Sequence, residues 1–132
     1  MFQVSRQVDY AIQLLNRLAE LEVGETLSLK TFSKESTISF AFLQKIARIL
    51  KQAGFVESKK GTSGGYSLNV MAGSISIKKV IDALEGPYTI VDCAKGENMC
   101  SKSGSCKTKN MWLQINKTIT TELENTSIAE FR

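Results

Sequence analysis

Histidine is absent from the 132-residue sequence. It is the usual general base near neutral pH and the commonest protein ligand for metals, so its absence removes the main route to acid–base catalysis and to histidine-rich metal sites. No imidazole is available to activate a cysteine as a nucleophile either. We therefore expect a protein that is not an enzyme and that has no small-molecule substrate.

Long apolar runs are absent as well. No segment approaches the roughly 20 consecutive apolar residues of a membrane-spanning helix, and the N-terminus lacks the apolar centre of a signal peptide. Three cysteines, an odd number, argue against a disulfide framework in a chain without an export signal. These features predict a cytoplasmic protein without a membrane partner, built as about one domain with a helical arm.

The most informative stretch covers residues 39–68. Ser39 is a favourable N-cap, and apolar residues then recur at three- and four-residue spacing, which predicts one buried face of an amphipathic helix. Gly54 is placed for a left-handed C-terminal cap. A short extended run then begins at residues 55–56, and charged residues, a glycine-rich loop and a second extended run at residues 66–68 follow it. This order predicts a mostly helical protein with a recognition helix and a small β-wing, a winged helix-turn-helix.

Positive charge is concentrated in the same stretch. The chain has 17 basic and 13 acidic residues; five of the basic and one of the acidic lie at residues 45–60, so this segment holds the whole formal excess of +4. A basic stripe on a helix and its hairpin is typical of a protein that binds nucleic-acid phosphates. A charged face that contacts only water is the alternative, and the attached wing favours double-stranded DNA.

Other helices are predicted around the recognition helix. One capped by Ser28 precedes it after a tight turn, which predicts the helix-turn-helix, while helices capped by Ser5 and Ser76 should complete the core. We predict that Gln44 reads a base edge, because a side-chain amide can form two hydrogen bonds with adenine. An ordinary exposed glutamine is the alternative. The predicted DNA-binding residues are Ser39, Ala41, Gln44, Lys45, Arg48, Lys59, Lys60, Gly61, Gly64, Gly65 and Tyr66.

All three cysteines, Cys93, Cys100 and Cys106, lie in a polar segment without an apolar pattern. A free cysteine is usually buried singly as a small hydrophobe, but this segment offers no core. Thiolates brought together in this way favour an iron–sulfur cluster or a soft metal. Zinc fits less well, because a structural zinc site has four ligands in tighter pairs. Unremarkable or redox-active thiols are the alternative.

A long helix with a narrow apolar stripe is predicted near the C-terminus. The stripe consists of Trp112, Ile115, Ile119 and Leu123. Such a helix beyond a finished domain suggests pairing with a second copy of the chain, and packing back onto its own domain is the alternative. A two-fold dimer would present two recognition helices to a palindromic operator. The expected divisions are a DNA-binding domain, a cysteine-bearing segment and a dimerisation helix with a short last helix, at residues 1–86, 87–109 and 110–132.

Several short motifs occur in the order found in one family of bacterial regulators. They are Asp9-Tyr10-Ala11, residues 38–43, residues 53–56, Lys60-Gly61, residues 64–68 and residues 83–86, followed by the three-cysteine segment. Together they resemble the Rrf2 family of winged-helix transcription regulators over about residues 1–130. The resemblance implies a homodimer that crosses its long C-terminal helices. It also implies a wing that reaches the minor groove, with Lys60 at a wing-tip position where many members carry a basic residue.

The three cysteines resemble those of the iron–sulfur branch of that family, its IscR-, NsrR- and RirA-like members. The resemblance implies a cluster ligated by the cysteines, with 2Fe-2S preferred over 4Fe-4S, that senses cluster supply, iron, redox state or nitric oxide. Lys109 departs from this pattern, since IscR-like members have a histidine ligand there. The fourth ligand is then Asp9 of the other subunit, Asp92, Glu97, a small thiol or solvent. Our hypothesis is a repressor controlled by this cluster; the alternative is a cluster-free regulator that uses thiol switches, zinc or a protein partner.

Overall fold

The computed structural model describes residues 3–61, 64–87 and 108–131. The prediction of a mostly helical winged helix-turn-helix is confirmed. In the described ranges, no helix has both the length and the apolar character needed to cross a lipid bilayer. The elements are α1 (Arg6–Ala19), α2 (Leu29–Ser36), α3 (Phe40–Gln52), β1 (Val56–Lys59), β2 (Gly65–Leu68), a 3₁₀ turn (Ala72–Ser74), α4 (Ile77–Glu85), α5 (Lys109–Asn125) and a last 3₁₀ turn (Ile128–Phe131).

Serine side chains start four of the helices. Ser5, Ser28, Ser39 and Ser76 each accept a hydrogen bond from the backbone N–H three residues later. Each bond satisfies a donor that has no partner within its helix. After α3, Gly54 has φ = 86°, the left-handed conformation that ends a helix. These caps confirm the predicted helix starts and the predicted end of α3.

The turn between α2 and α3 is held by local hydrogen bonds. Thr37 adopts φ = 62°, which is uncommon for a β-branched residue, and its N–H donates to the Ser33 carbonyl at 2.9 Å. The Ser33 hydroxyl donates to the Ile38 carbonyl at 2.6 Å, and the Ile38 side chain is buried. The turn therefore fixes the direction in which α3 leaves α2.

The wing is an antiparallel pair in which Val56 pairs with Leu68 and Lys59 with Gly65. The extended run predicted to begin at residues 55–56 is β1, and its charged residues continue it as far as Lys59 because each has a partner in β2. Leu27 adds an isolated bridge to Tyr66 beside β2. A Cβ on Gly65 would lie 2.6 Å from the Leu27 carbonyl oxygen, so this approach requires glycine.

The end of the chain belongs to the core. Ile128 is 1% exposed, and its N–H donates to the Ile75 carbonyl at 3.1 Å, while the Ile77 N–H donates to the Thr126 carbonyl at 2.9 Å. The C-terminal end of α5 is thereby attached to the start of α4. The largest fully buried side chains are Leu14, Leu15, Leu43, Ile46, Leu50, Ile75, Ile128, Val8 and Val80.

An ion pair on the surface joins α1 to α2. The Arg17 Nε donates to Glu35 Oε2 at 3.0 Å, and this hydrogen bond raises the pKa of Arg17. Both side chains are largely open to water, so the pair adds little stability.

Candidate nucleic-acid interface

The outward face of α3 carries the residues that the sequence singled out. Leu43, Ile46, Ala47 and Leu50 are fully buried, which confirms the predicted stripe. The opposite face of α3 is exposed. Every residue of α3, from Phe40 to Gln52, is described, and none of them is acidic. Its exposed polar and charged members are Gln44, Lys45, Arg48, Lys51 and Gln52.

A cleft, here called the basic slot, lies between α3, the start of α2 and the wing. Its volume is about 480 Å³. Three of its lining residues are cationic, and among the described residues none that lines it is acidic. Its lining is Ser28, Leu29, Lys30, Phe40, Gln44, Arg48, Lys51, Gly65 and Tyr66.

The wing is held in place against α3 by polar contacts at the end of that helix. The Lys51 Nζ donates to the Ser58 Oγ of β1 at 2.8 Å. The Asn69 side chain donates to the Gly54 carbonyl at 3.2 Å, and the Asn69 N–H donates to the Phe55 carbonyl at 2.9 Å. The width of the basic slot is therefore set by the fold of a single chain.

The two faces of the wing have different surroundings. Residues directly opposite each other in the sheet share a face, so Ser58 and Tyr66 lie together on the α3 side. Glu57 and Ser67 share the other face, and Lys59 lines a second groove there with Val23 and Met71. Lys59 thus lies outside the basic slot.

The predicted DNA-binding residues are therefore only partly brought together. Gln44, Arg48, Gly65 and Tyr66 line the basic slot. Ser39, Ala41 and Lys45 are exposed on or beside α3, and Lys60 and Gly61 are exposed at the wing tip. Gly64 has a local structural reason to be glycine, since a Cβ there would overlap the Lys59 carbonyl oxygen.

Five residues that line the basic slot are not among the predicted DNA contacts: Ser28, Leu29, Lys30, Phe40 and Lys51. Lys30 is on α2, and only the packing of α2 against α3 brings it to the slot. Its Nζ lies 5.9 Å from the ring centroid of Phe40. Lys51 belongs to the basic stripe of residues 45–60 but is not among the predicted DNA-binding residues. Phe40 carried one signal that was overlooked, because it is an aromatic residue off the buried stripe of its helix.

The predicted cluster ligands Cys93, Cys100 and Cys106 lie outside the described residues. Within the described part of the chain, no three cysteine, aspartate or glutamate side chains come together as a metal site. Asp9 is exposed on α1, where the Gln13 side chain donates to its Oδ2 at 3.0 Å. Cysteine thiolates are the usual ligands of iron–sulfur clusters, so the chain contains the ligand type that such a cluster needs.

α5 leaves much of its apolar surface open. None of its side chains, all of which are described, is buried; Met111 is 46% exposed and Ile115 is 36% exposed. Towards its C-terminal end, Ile119 and Leu123 line an apolar groove of about 220 Å³ with α1 and α4. The groove thus places the C-terminal half of α5 beside α1 and α4 of its own domain.

Comparisons with known proteins agree on one family of transcriptional regulators. A family model described as Rrf2, iron-dependent transcriptional regulator, matches residues 4–131. The transcriptional regulator IscR of Vibrio vulnificus is 30% identical over 121 residues, which cover 92% of this chain and 71% of the relative.

Solved structures show the same similarity. T. potens IscR superimposes with a TM-score of 0.76 at 26% identity, covering 98% of this chain and 85% of that one. The oxidized form of Staphylococcus aureus CymR superimposes with a TM-score of 0.76 at 28% identity, covering 96% and 93%. The similarity thus extends over nearly the whole chain.

Proposed function

The chain belongs to the Rrf2 family of transcriptional regulators, and from this premise we propose how it binds DNA. The exposed face of α3 enters the major groove, and the wing points to the adjacent minor groove. Between two grooves of duplex DNA runs one sugar–phosphate strand. The basic slot, which separates α3 from the wing, receives that strand.

The observation that carries this proposal is the charge of the basic slot. Lys30, Arg48 and Lys51 line it, and no acidic residue does so among those described. Cations held in a cleft bind phosphates and release the counterions around DNA, which supplies most of the sequence-independent affinity. Gln44, at the wall of the same cleft, is left to read a base edge.

We further propose a homodimer formed through α5. Its support is a 17-residue helix without a buried side chain, ending in residues fixed to the core of its own domain. Such an apolar surface is stabilised when a second copy covers it. Two-fold symmetry then places two α3 helices on the two halves of a palindromic operator.

The cysteine segment is the proposed control element. Cys93, Cys100 and Cys106 would hold an iron–sulfur cluster, preferably 2Fe-2S, with Asp9 of the second copy as the candidate fourth ligand. When bound, such a cluster supplies an iron site that responds to iron, oxidants or nitric oxide. Residues 88–107 lie between α4 and α5 in the sequence, so we propose that a change in that segment acts on the N-terminal end of α5.

The attachment of α5 makes this control effective. Ile128 fixes its C-terminal end in the core, so a displacement at Lys109 changes the tilt of the helix and not its anchor point. In a dimer, that tilt sets the separation of the two α3 helices. A coupling of usual size, about 1–3 kcal/mol, changes operator affinity about 5- to 150-fold.

A second candidate is a cluster-free regulator in which the cysteines act as thiol switches. The similarity to CymR, which has been crystallised in an oxidized form, favours it. The two candidates share the DNA interface and the dimer. They differ in what the cysteines carry.

The test of DNA binding is selection from a pool of random duplexes with the full chain. We expect a palindromic sequence whose half-sites are separated by about 10–10.5 base pairs or a multiple, because the dimer reads one face of the duplex. Recovery of unrelated sequences, with an affinity independent of salt, would contradict the proposal.

The test of the control element is purification without oxygen, followed by a visible spectrum and assays of iron and acid-labile sulfide. A cluster predicts a coloured protein, and Cys100→Ala should lower its iron content while leaving helical content unchanged. A colourless wild-type protein after reconstitution, with operator affinity that changes on thiol oxidation, would favour the second candidate instead.

A further inference from the structure

Phe40 is an aromatic residue whose side chain is not part of the hydrophobic core. It is the first residue of α3 and remains 36% exposed. Phe42, two residues later, packs edge-to-face on Tyr10 with ring centroids 5.5 Å apart and adjoins the core. Phe40 instead lines the basic slot.

One face of the Phe40 ring already has a neighbour. The Lys30 Nζ lies 5.9 Å from the ring centroid, a separation at which a cation and an aromatic face attract each other. This contact limits the positions that the ring adopts without covering it. An apolar ring is thus presented inside a cleft that is also lined by three cations.

Phe40 and Gln44 are one helical turn apart and line the same cleft. A rise of about 1.5 Å per residue separates them by roughly 6 Å along α3. Successive bases of a strand are about 3.4 Å apart, so the two side chains reach positions within about two base pairs of each other.

We propose that Phe40 contacts the C5-methyl group of a thymine close to the base that Gln44 reads. Among the base edges in the major groove, only thymine presents a methyl group, and apolar side chains recognise it. That methyl lies on the side of the base nearest the sugar–phosphate strand, the side that the basic slot faces. The inference rests on the proposed DNA binding and adds a specificity-determining residue to it.

Uracil provides the test, because it lacks only the C5-methyl group of thymine. The operator obtained by selection with the full chain is synthesised with each thymine replaced in turn by uracil. We expect one position in each half-site at which uracil weakens wild-type binding about fourfold, the effect of losing one methyl group from a contact that excludes water. Phe40→Ala should bind the thymine and uracil operators equally.

Phe40→Leu serves as a second variant, since it keeps an apolar side chain on the surface of α3. It should retain part of the preference for thymine, with a circular dichroism spectrum like that of the wild type. Equal wild-type affinity for every uracil operator, or an undiminished thymine preference in Phe40→Ala, would overturn the inference and leave DNA binding intact. Failure of the wild-type chain to select any sequence would overturn the proposed function itself.

Discussion

α3 and α5 are both amphipathic helices, yet only α3 has its apolar face fully buried within its own chain. α3 has 13 residues and buries four of them fully against α1, α2 and the wing. α5 has 17 residues and buries none, while Met111 and Ile115 stay exposed. The two helices therefore obtain their stability in different ways.

The difference matches the two proposed roles, DNA binding for α3 and dimerisation for α5. α3 presents a polar, cationic face whose geometry is fixed by the serine cap, the tight turn and the contacts of the wing. The conformation of this face is therefore preorganised in the absence of DNA. α5 presents an apolar stripe that one domain leaves partly uncovered, and in the proposed dimer a second copy covers it. Under the proposed control mechanism, operator affinity changes through α5 while the DNA-binding surface of α3 keeps its conformation.

The largest effect should come from the buried face of α3. Leu43→Ala removes a fully buried side chain, and we expect it to lower the free energy of unfolding by about 2–5 kcal/mol. Lys45→Ala, on the exposed face of the same helix, should change it by less than about 0.5 kcal/mol. Urea unfolding followed by circular dichroism measures both. Similar losses for the two variants would mean that α3 does not face the core as described.

The next effect should appear in the assembly of α5. Ile115→Glu places a carboxylate in each half of an apolar interface, and we expect the dimer dissociation constant to rise about 100-fold or more. Thr121→Glu adds the same charge to the exposed side of the same helix, away from the stripe, and should leave the dimer intact. Sedimentation velocity distinguishes the two. A wild-type chain that sediments as a monomer would contradict the role of α5.

The smallest of the three effects compares the basic slot with the far face of the wing. Arg48→Ala removes a cation from the basic slot, and we expect operator affinity to fall about tenfold or more, as for a hydrogen bond to a charged group. Lys59→Ala removes the same charge from the other face of the wing and should cost about twofold or less, since only long-range attraction is lost. Fluorescence anisotropy with a labelled operator measures both. A larger loss of affinity for Lys59→Ala than for Arg48→Ala would indicate that DNA binds on the far side of the wing.

Much of α3 was predictable because its determinants are local. Ser39, Gly54 and the apolar spacing between them act within one or two helical turns, and the structure confirms each. The exposure of Gln44 and Arg48 followed from the same spacing.

The basic slot was less accessible to sequence reasoning, because it depends on distant parts of the chain. Lys30 reaches it through the packing of α2, and the position of Lys59 depends on the strand register of a hairpin. Burial of Ile128 depends on pairing between segments about 50 residues apart, as the hydrogen bond to Ile75 shows. The predicted roles of the cysteines stay predictions, since these residues lie outside the described ranges.

The most direct test of the basic slot is the salt dependence of operator affinity. Each phosphate contact contributes about 0.9 to the slope of log affinity against log salt concentration. Combined replacement of Lys30, Arg48 and Lys51 by alanine should therefore reduce the slope by about 2.7 per bound subunit. A control that replaces the exposed Lys59, Lys79 and Lys117 removes the same charge and should leave the slope nearly unchanged. Equal slopes for the first variant and the wild type would contradict the account.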